Sequence, residues 1–274
     1  MNTLSAIRTT NQIVGRIAPG MAARMARRLL MRPRVNPPRS FESDAYADAE
    51  RITFRFGLAG WRWGGPGPVV LALHGWQGRP SQFKHFVKPL VEAGRQVIAL
   101  EAPAHGRSPG REAHPLLFAE ALIEAAGELR GIEAVIGHSM GGAAALIALD
   151  KHRFTDKAVI VGAPAAMDRV LGRFADFVGL PASARDTFFD VVDRHVGVPA
   201  RELDMARVGP RLPVNGLIVH DRDDDMVPFS EGVALSQSWL RAEFLPTAGL
   251  GHRLVLADPL VVGRAVRFIT GAEA

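Results

Sequence analysis

Residues 135 to 144 read VIGHSMGGAA, and the way this stretch is punctuated decides the fold. An apolar, β-favouring run (IEAVIG, 132 to 137) stops at a glycine, Ser139 follows, and two further glycines open an alanine-rich helix former. Residues 137 to 141 fit the pattern G-x-S-x-G, which calls for a strained strand-to-helix turn that lifts one hydroxyl above the edge of a sheet. Side chains next to such a turn must be nearly absent, and glycine is the residue that removes them. Five matching residues say little alone; the strand before and the helix former after supply the weight. The plainer role for Ser139 is to cap the helix.

The rest of the chain has the rhythm such a turn requires. ITFRFG (52 to 57) and the run around Trp61 to Trp63 read as an opening hairpin. PVVLALHG (68 to 75), RQVIALEAP (95 to 103), KAVIVGAP (157 to 164) and VNGLIVHD (214 to 221) are apolar throughout, with helical patterns over about 81 to 93 and 115 to 130 between them. Strands that are apolar on both faces are covered on both faces, which means a mostly parallel sheet wrapped by helices, an α/β fold. About 45 residues between Pro164 and Pro210 contain no good strand, and Phe174, Phe177, Phe188 and Phe189 fall there at helical spacings. The pattern predicts a small helical cap inserted at about 165 to 210.

Composition narrows the chemistry. The chain has 274 residues and no cysteine, so disulfides, thiolate metal sites and a cysteine nucleophile are excluded. No apolar run approaches the roughly 20 residues that cross a bilayer, and the expected location is cytoplasmic. The net charge of +5 is not spread evenly: residues 1 to 41 hold eight arginines and no acid, leaving 25 basic and 28 acidic residues in 42 to 274. The expected organisation is therefore a basic leader, 1 to 41, and one domain, 42 to 274. In the leader Met21, Ala22, Met25, Ala26 and Leu29 recur at helical spacing opposite Arg24, Arg27 and Arg28, in a helix ended near Pro33. Such a helix suits peripheral contact with an anionic membrane surface, or docking on its own domain. Nucleic acid is excluded as a partner, since no aromatic residues interleave with the arginines.

A serine hydroxyl attacks a carbonyl only when a base takes its proton and a carboxylate orients that base. In folds with this turn the chain order is Ser, acid, His. TAGLGHRLVL (247 to 256), after the short β-favouring run AEFLP (242 to 246) and before a helix at about 258 to 270, offers His252 as the base. His138 should point away from its neighbour's hydroxyl, and His105 and His74 read as braces for loops near the site. The acid lies in VHDRDDDMVP (219 to 228), which offers Asp221, Asp223, Asp224 and Asp225. With His220 these could suggest a metal site, but calcium-loop spacing is missing and Arg222 interrupts them. The spare aspartates are expected to form a solvated rim or to pair with Arg222.

Four motifs together, HGWQG (74 to 78), EAPAHGRS (101 to 108), GHSMGG (137 to 142) and HDRDDDMVP, closed by GLGH (249 to 252), resemble the α/β-hydrolase family over roughly residues 50 to 274. The family's acid loop commonly reads H-G-x-x-D-x-x-V-P, and alignment on His220 and Pro228 selects Asp224 over Asp223. Asp221 then stands where the family has glycine, as does Ala104 in the second loop. The resemblance also implies an oxyanion hole from the backbone N–H groups of Trp76 and Met140, with no cofactor and no metal. It implies acyl transfer through Ser139, His252 and Asp224, and a cap that supplies phenylalanines more than charges points to a small-molecule ester with a small or medium apolar acyl chain. A thioesterase, an aminopeptidase and a carbon–carbon bond hydrolase use the same constellation, and a non-catalytic ligand-binding or membrane-attached protein could keep the fold.

Overall fold

The computed structural model describes residues 3–34 and 44–272. Its centre is an eight-stranded sheet: β1 (Glu50–Thr53), β2 (Ala59–Trp63), β3 (Val69–Leu73), β4 (Gln96–Leu100), β5 (Ile132–His138), β6 (Lys157–Val161), β7 (Asn215–Asp221) and β8 (Ala242–Thr247). The order across the sheet is β1-β2-β4-β3-β5-β6-β7-β8, antiparallel at β1–β2 and β2–β4 and parallel elsewhere. All five residues of β3 are buried, as are four of five in β4 and β6, so their uninterrupted apolar composition matches cover on both faces. On one face Val70, Ala72, Val97, Ala134 and Val159 pack with Phe83, Phe86, Leu90, Val261 and Ile269 in a single apolar cluster. Each such large side chain contributes about 1.5–3 kcal/mol by leaving water.

Helices connect the parallel strands: α3 (Lys84–Glu92), α4 (Pro115–Glu128) and α5 (Met140–Lys151), which packs on α4. After the cap region come α8 (Met205–Val208), α9 (Phe229–Ser238), α10 (Gly251–Leu254) and α11 (Pro259–Thr270). The start of α11 is written locally: Asp258 accepts from the N–H groups of Leu260 and Val261, both at 3.0 Å, and Pro259 takes the first helical position. The helix α9 carries no strong signal in the sequence reading.

The chain divides into two compact units, one of residues Met1–Pro33 with Ala166–Asp204, the other of Arg34–Ala165 with Met205–Ala274. The first contains two leader helices, α1 (Thr3–Ile17) and α2 (Pro19–Met31), where the sequence suggested one, and two cap helices, α6 (Met167–Phe177) and α7 (Ala182–Val196). Ala22, Ala23, Ala26 and Met31 are the buried face of α2, which packs on α7. Asn11 Nδ2 donates to Val178 O and Gln12 Nε2 to Gly179 O, each at 2.8 Å, and Ser183 Oγ donates to Gly15 O at 3.0 Å. Short side chains and these bonds bring leader and cap backbones close. Met21 and Met25, read with the alanines as one apolar face, point to solvent instead. Within the cap Phe174 stacks on Phe188, centroids 5.9 Å apart, and Phe188 is fully buried, so these rings hold the insertion together.

Candidate active site

Ser139 closes β5 and opens α5 with φ 54° and ψ −122°. An L-residue keeps this conformation only when its surroundings impose it, at a cost of about 1–3 kcal/mol. The imposition is visible at Gly141, where a Cβ would lie 2.2 Å from Leu73 O, so α5 can begin this tightly against β3 only with hydrogen there. Ser139 N–H donates to Val161 O at 2.8 Å, fastening the turn to β6. The Ser139 side chain makes no capping bond to α5, so its hydroxyl is not spent on the helix.

The residues expected to serve as acid and base meet at the same edge. His252 Nδ1 lies 2.7 Å from Asp224 Oδ2, with both side chains buried. A carboxylate beside Nδ1 fixes the tautomer with hydrogen there, which leaves Nε2 free to accept a proton. The other oxygen, Oδ1 of Asp224, accepts from the N–H groups of Met226 at 2.9 Å and Val227 at 2.8 Å. Burial pushes the Asp224 carboxyl up, but the His252 bond and these two amides outweigh it and hold its pKa below the usual carboxylate value. Asp223, the alternative acid, turns away and accepts from Gly249 N–H at 2.7 Å. His138 joins His252 to the serine's strand: its Nε2 donates to His252 O at 2.9 Å, with ring centroids 4.7 Å apart. Among the described residues no hydrogen bond links Ser139 Oγ to His252; such bonds commonly tighten only when substrate is bound.

The loop after β3 presses on the turn from the other side. A Cβ on Gly75 would lie 2.7 Å from Ser139 Cβ, so the N–H of Trp76, one residue on, is beside the serine. Gln77 N–H is committed to His105 Nε2 at 3.0 Å and Gly78 N–H to Gly75 O at 3.0 Å. Among the described residues neither Trp76 N–H nor Met140 N–H has an acceptor. His74 and His105 brace this loop: His74 Nε2 accepts from Ala102 N–H at 3.1 Å, and His105 Nδ1 donates to Pro103 O at 2.9 Å. Burial pushes the His74 imidazole down to about 3 and lowers that of His105 as well, so both serve as neutral props.

A family model described as the alpha/beta hydrolase family matches residues 69–265. The chain belongs to the alpha/beta hydrolase family. Among curated proteins it is similar to the sn-1-specific diacylglycerol lipase of Xenopus tropicalis, 36% identical over 107 residues, 37% of this chain and 33% of that protein. It is also similar to the monoacylglycerol lipase of Mycolicibacterium smegmatis, 30% identical over 156 residues, 49% of this chain and 54% of that protein. In each case the match spans about half or less of the curated relative's length. Among solved structures, the esterase Pf2001 of Pyrococcus furiosus aligns with a TM-score of 0.65 at 20% identity, over 88% of this chain and 96% of that one, a likeness of fold.

Against the family's acid-loop pattern, Asp221 is the residue whose work the sequence hid. It is buried at 1% exposure, not part of a solvated rim, and does not pair with Arg222, whose guanidinium lies 4.7 Å from the Phe229 ring centre. Oδ2 of Asp221 accepts from Thr247 Oγ1 at 2.7 Å and Leu250 N–H at 3.2 Å; Oδ1 accepts from Gly251 N–H at 2.9 Å and Asp223 N–H at 3.0 Å. Burial pushes this carboxyl up, but the four donors together leave it below the usual carboxylate value. One carboxylate thus ties the acid loop to the segment that delivers His252. Its signal in the sequence was the departure itself, aspartate where the family has glycine. Beside this tie, Asp223, Asp225, Met226, His252, Arg253 and Leu254 line a cleft of about 610 Å³.

Proposed function

We propose that the protein is a serine hydrolase that cleaves a carboxylic ester through an acyl-enzyme. Ser139 Oγ attacks the ester carbonyl while His252 Nε2 takes its proton, and the oxyanion is met by the N–H groups of Trp76 and Met140. His252 then returns the proton to the departing alcohol. Water, deprotonated by the same imidazole, releases the acid and regenerates Ser139. Asp224 holds the tautomer and balances the imidazolium. The observation that carries this reading is the buried 2.7 Å contact between His252 Nδ1 and Asp224 Oδ2 at the sheet edge that bears the strained Ser139. Two unspent backbone donors next to the hydroxyl support it, since each such donor aimed at a developing oxyanion is worth about 10²–10³ in rate.

The substrate we assign is an ester with a small or medium apolar acyl chain, and the similarity to mono- and diacylglycerol lipases supports an ester over a thioester or amide. No cofactor or metal enters the scheme. A panel of chromogenic esters of increasing chain length, run beside the matching thioesters and amino-acid amides, tests this: the esters should turn over fastest. Preference for the amides would reassign the protein as a peptidase.

A further inference from the structure

We propose that the outward face of α1 and α2 is a docking surface for an anionic lipid bilayer. On α1, Ile13 is 56% exposed and Ile17 80%; on α2, Met21 is 47% and Met25 43%. Single apolar residues on a surface need no explanation, but these four recur every four residues along two successive helices. The inner faces of the same helices, which do pack within their unit, are built from Asn11, Gly15, Ala22, Ala23 and Ala26, with Met31 at the end of α2 the one large side chain fully buried there. Met31 apart, folding alone would favour the reverse, with the large side chains inside and the small ones out. Arg16, Arg24 and Arg28 are exposed and flank the apolar residues on the helical wheel, and none has a carboxylate partner among the described residues.

Charge selects the occupant. Neither helix contains an Asp or Glu, and residues 1 to 41 carry eight arginines. A second copy on this face would set arginine against arginine, so the face does not suit self-association. A bilayer with anionic headgroups satisfies both features: isoleucine and methionine enter the acyl boundary, and the guanidinium groups reach phosphate at the surface. This contact is independent of the ester chemistry.

The full chain floated with vesicles at low salt tests it. Vesicles of phosphatidylcholine with about 30% phosphatidylglycerol should carry the protein, vesicles of phosphatidylcholine alone should not, and about 0.5 M salt should lower the bound fraction at least tenfold. Ile13→Ser, Ile17→Ser, Met21→Ser and Met25→Ser combined should weaken binding more than tenfold with helix content by circular dichroism little changed, because none of the four belongs to the buried face of its helix. Arg16→Gln, Arg24→Gln and Arg28→Gln combined, an independent route, should do the same. Full-length protein left unbound by the anionic vesicles overturns the proposal. So does binding that ignores both sets of substitutions, or light scattering that shows a dimer dissolved by the serine variant while vesicles are ignored.

Discussion

Ser139 combines a backbone conformation that costs energy with a hydroxyl that caps nothing, and that pairing is what an attacking group needs. Ser139→Ala or His252→Ala should lower kcat by about 10⁶, and the double variant should be no worse than either single one, because the groups act as a unit. Asp224→Asn removes the acceptor that fixes the His252 tautomer, and kcat should fall by about 10⁴. Buried histidines also set the acid limit of the fold. Burial, then the neighbouring His252 ring, pushes His138 from the ordinary 6.5 down to about 3, and His74 is lowered to about 3 as well. Below about 6.5 the unfolded chain takes protons on these two rings while the folded chain does not, so stability falls as pH drops from 6.5 toward 3. Asp221 and Asp224, held below the usual carboxylate value, add stability that is present above that value and lost as pH falls through their folded pKa values. Urea unfolding from pH 7 to pH 4 should show the midpoint declining throughout, with a shallower slope in His138→Gln. A midpoint flat across this window would mean that these imidazoles are not held neutral.

At the scale of elements, the turn at Ser139 and the strands around it were legible because their signals are local: glycine where backbones touch, and unbroken apolar runs where both sheet faces are covered. The acid loop was legible only in part. Four neighbouring aspartates look alike in a sequence, and burial alone separates Asp221, with four donors, from Asp223, which bonds at the surface. Asp221→Gly should lose roughly 2–4 kcal/mol of stability, since it strands three N–H groups and a hydroxyl. It should also lower kcat by about 10-fold or more, because Asp221 acts through the loop that presents His252. Thr247→Val, which removes one donor of the four, should cost about 1 kcal/mol and leave kcat within a few-fold. Faster amide exchange at Leu250 and Gly251 in Asp221→Gly, but not in Thr247→Val, checks the mechanism. The helix α1 was not expected from the sequence, and its only two buried residues, Asn11 and Gly15, are not ones that mark a core-facing side.

In the whole molecule, the leader belongs with the cap: α1, α2, α6 and α7 form one compact unit, and Ser139, Asp224 and His252 all lie in the other. Sequence separation concealed this, since 132 residues stand between Pro33 and Ala166 and only the alanine face of α2 hints at a tight partner. Ala26→Asp buries an unpaired carboxylate against α7 and should destabilise the leader–cap unit by about 3 kcal/mol, seen as rapid proteolysis within residues 3 to 33. The central claim, that Ser139 is made nucleophilic by a base held on Asp224, is tested most directly by a fluorophosphonate probe followed by peptide mapping. The native protein should be labelled on Ser139 alone, and Ser139→Ala and His252→Ala should take up no label while keeping the native circular dichroism spectrum. Folded native protein that stays unlabelled, or that carries the label on another residue, would contradict it.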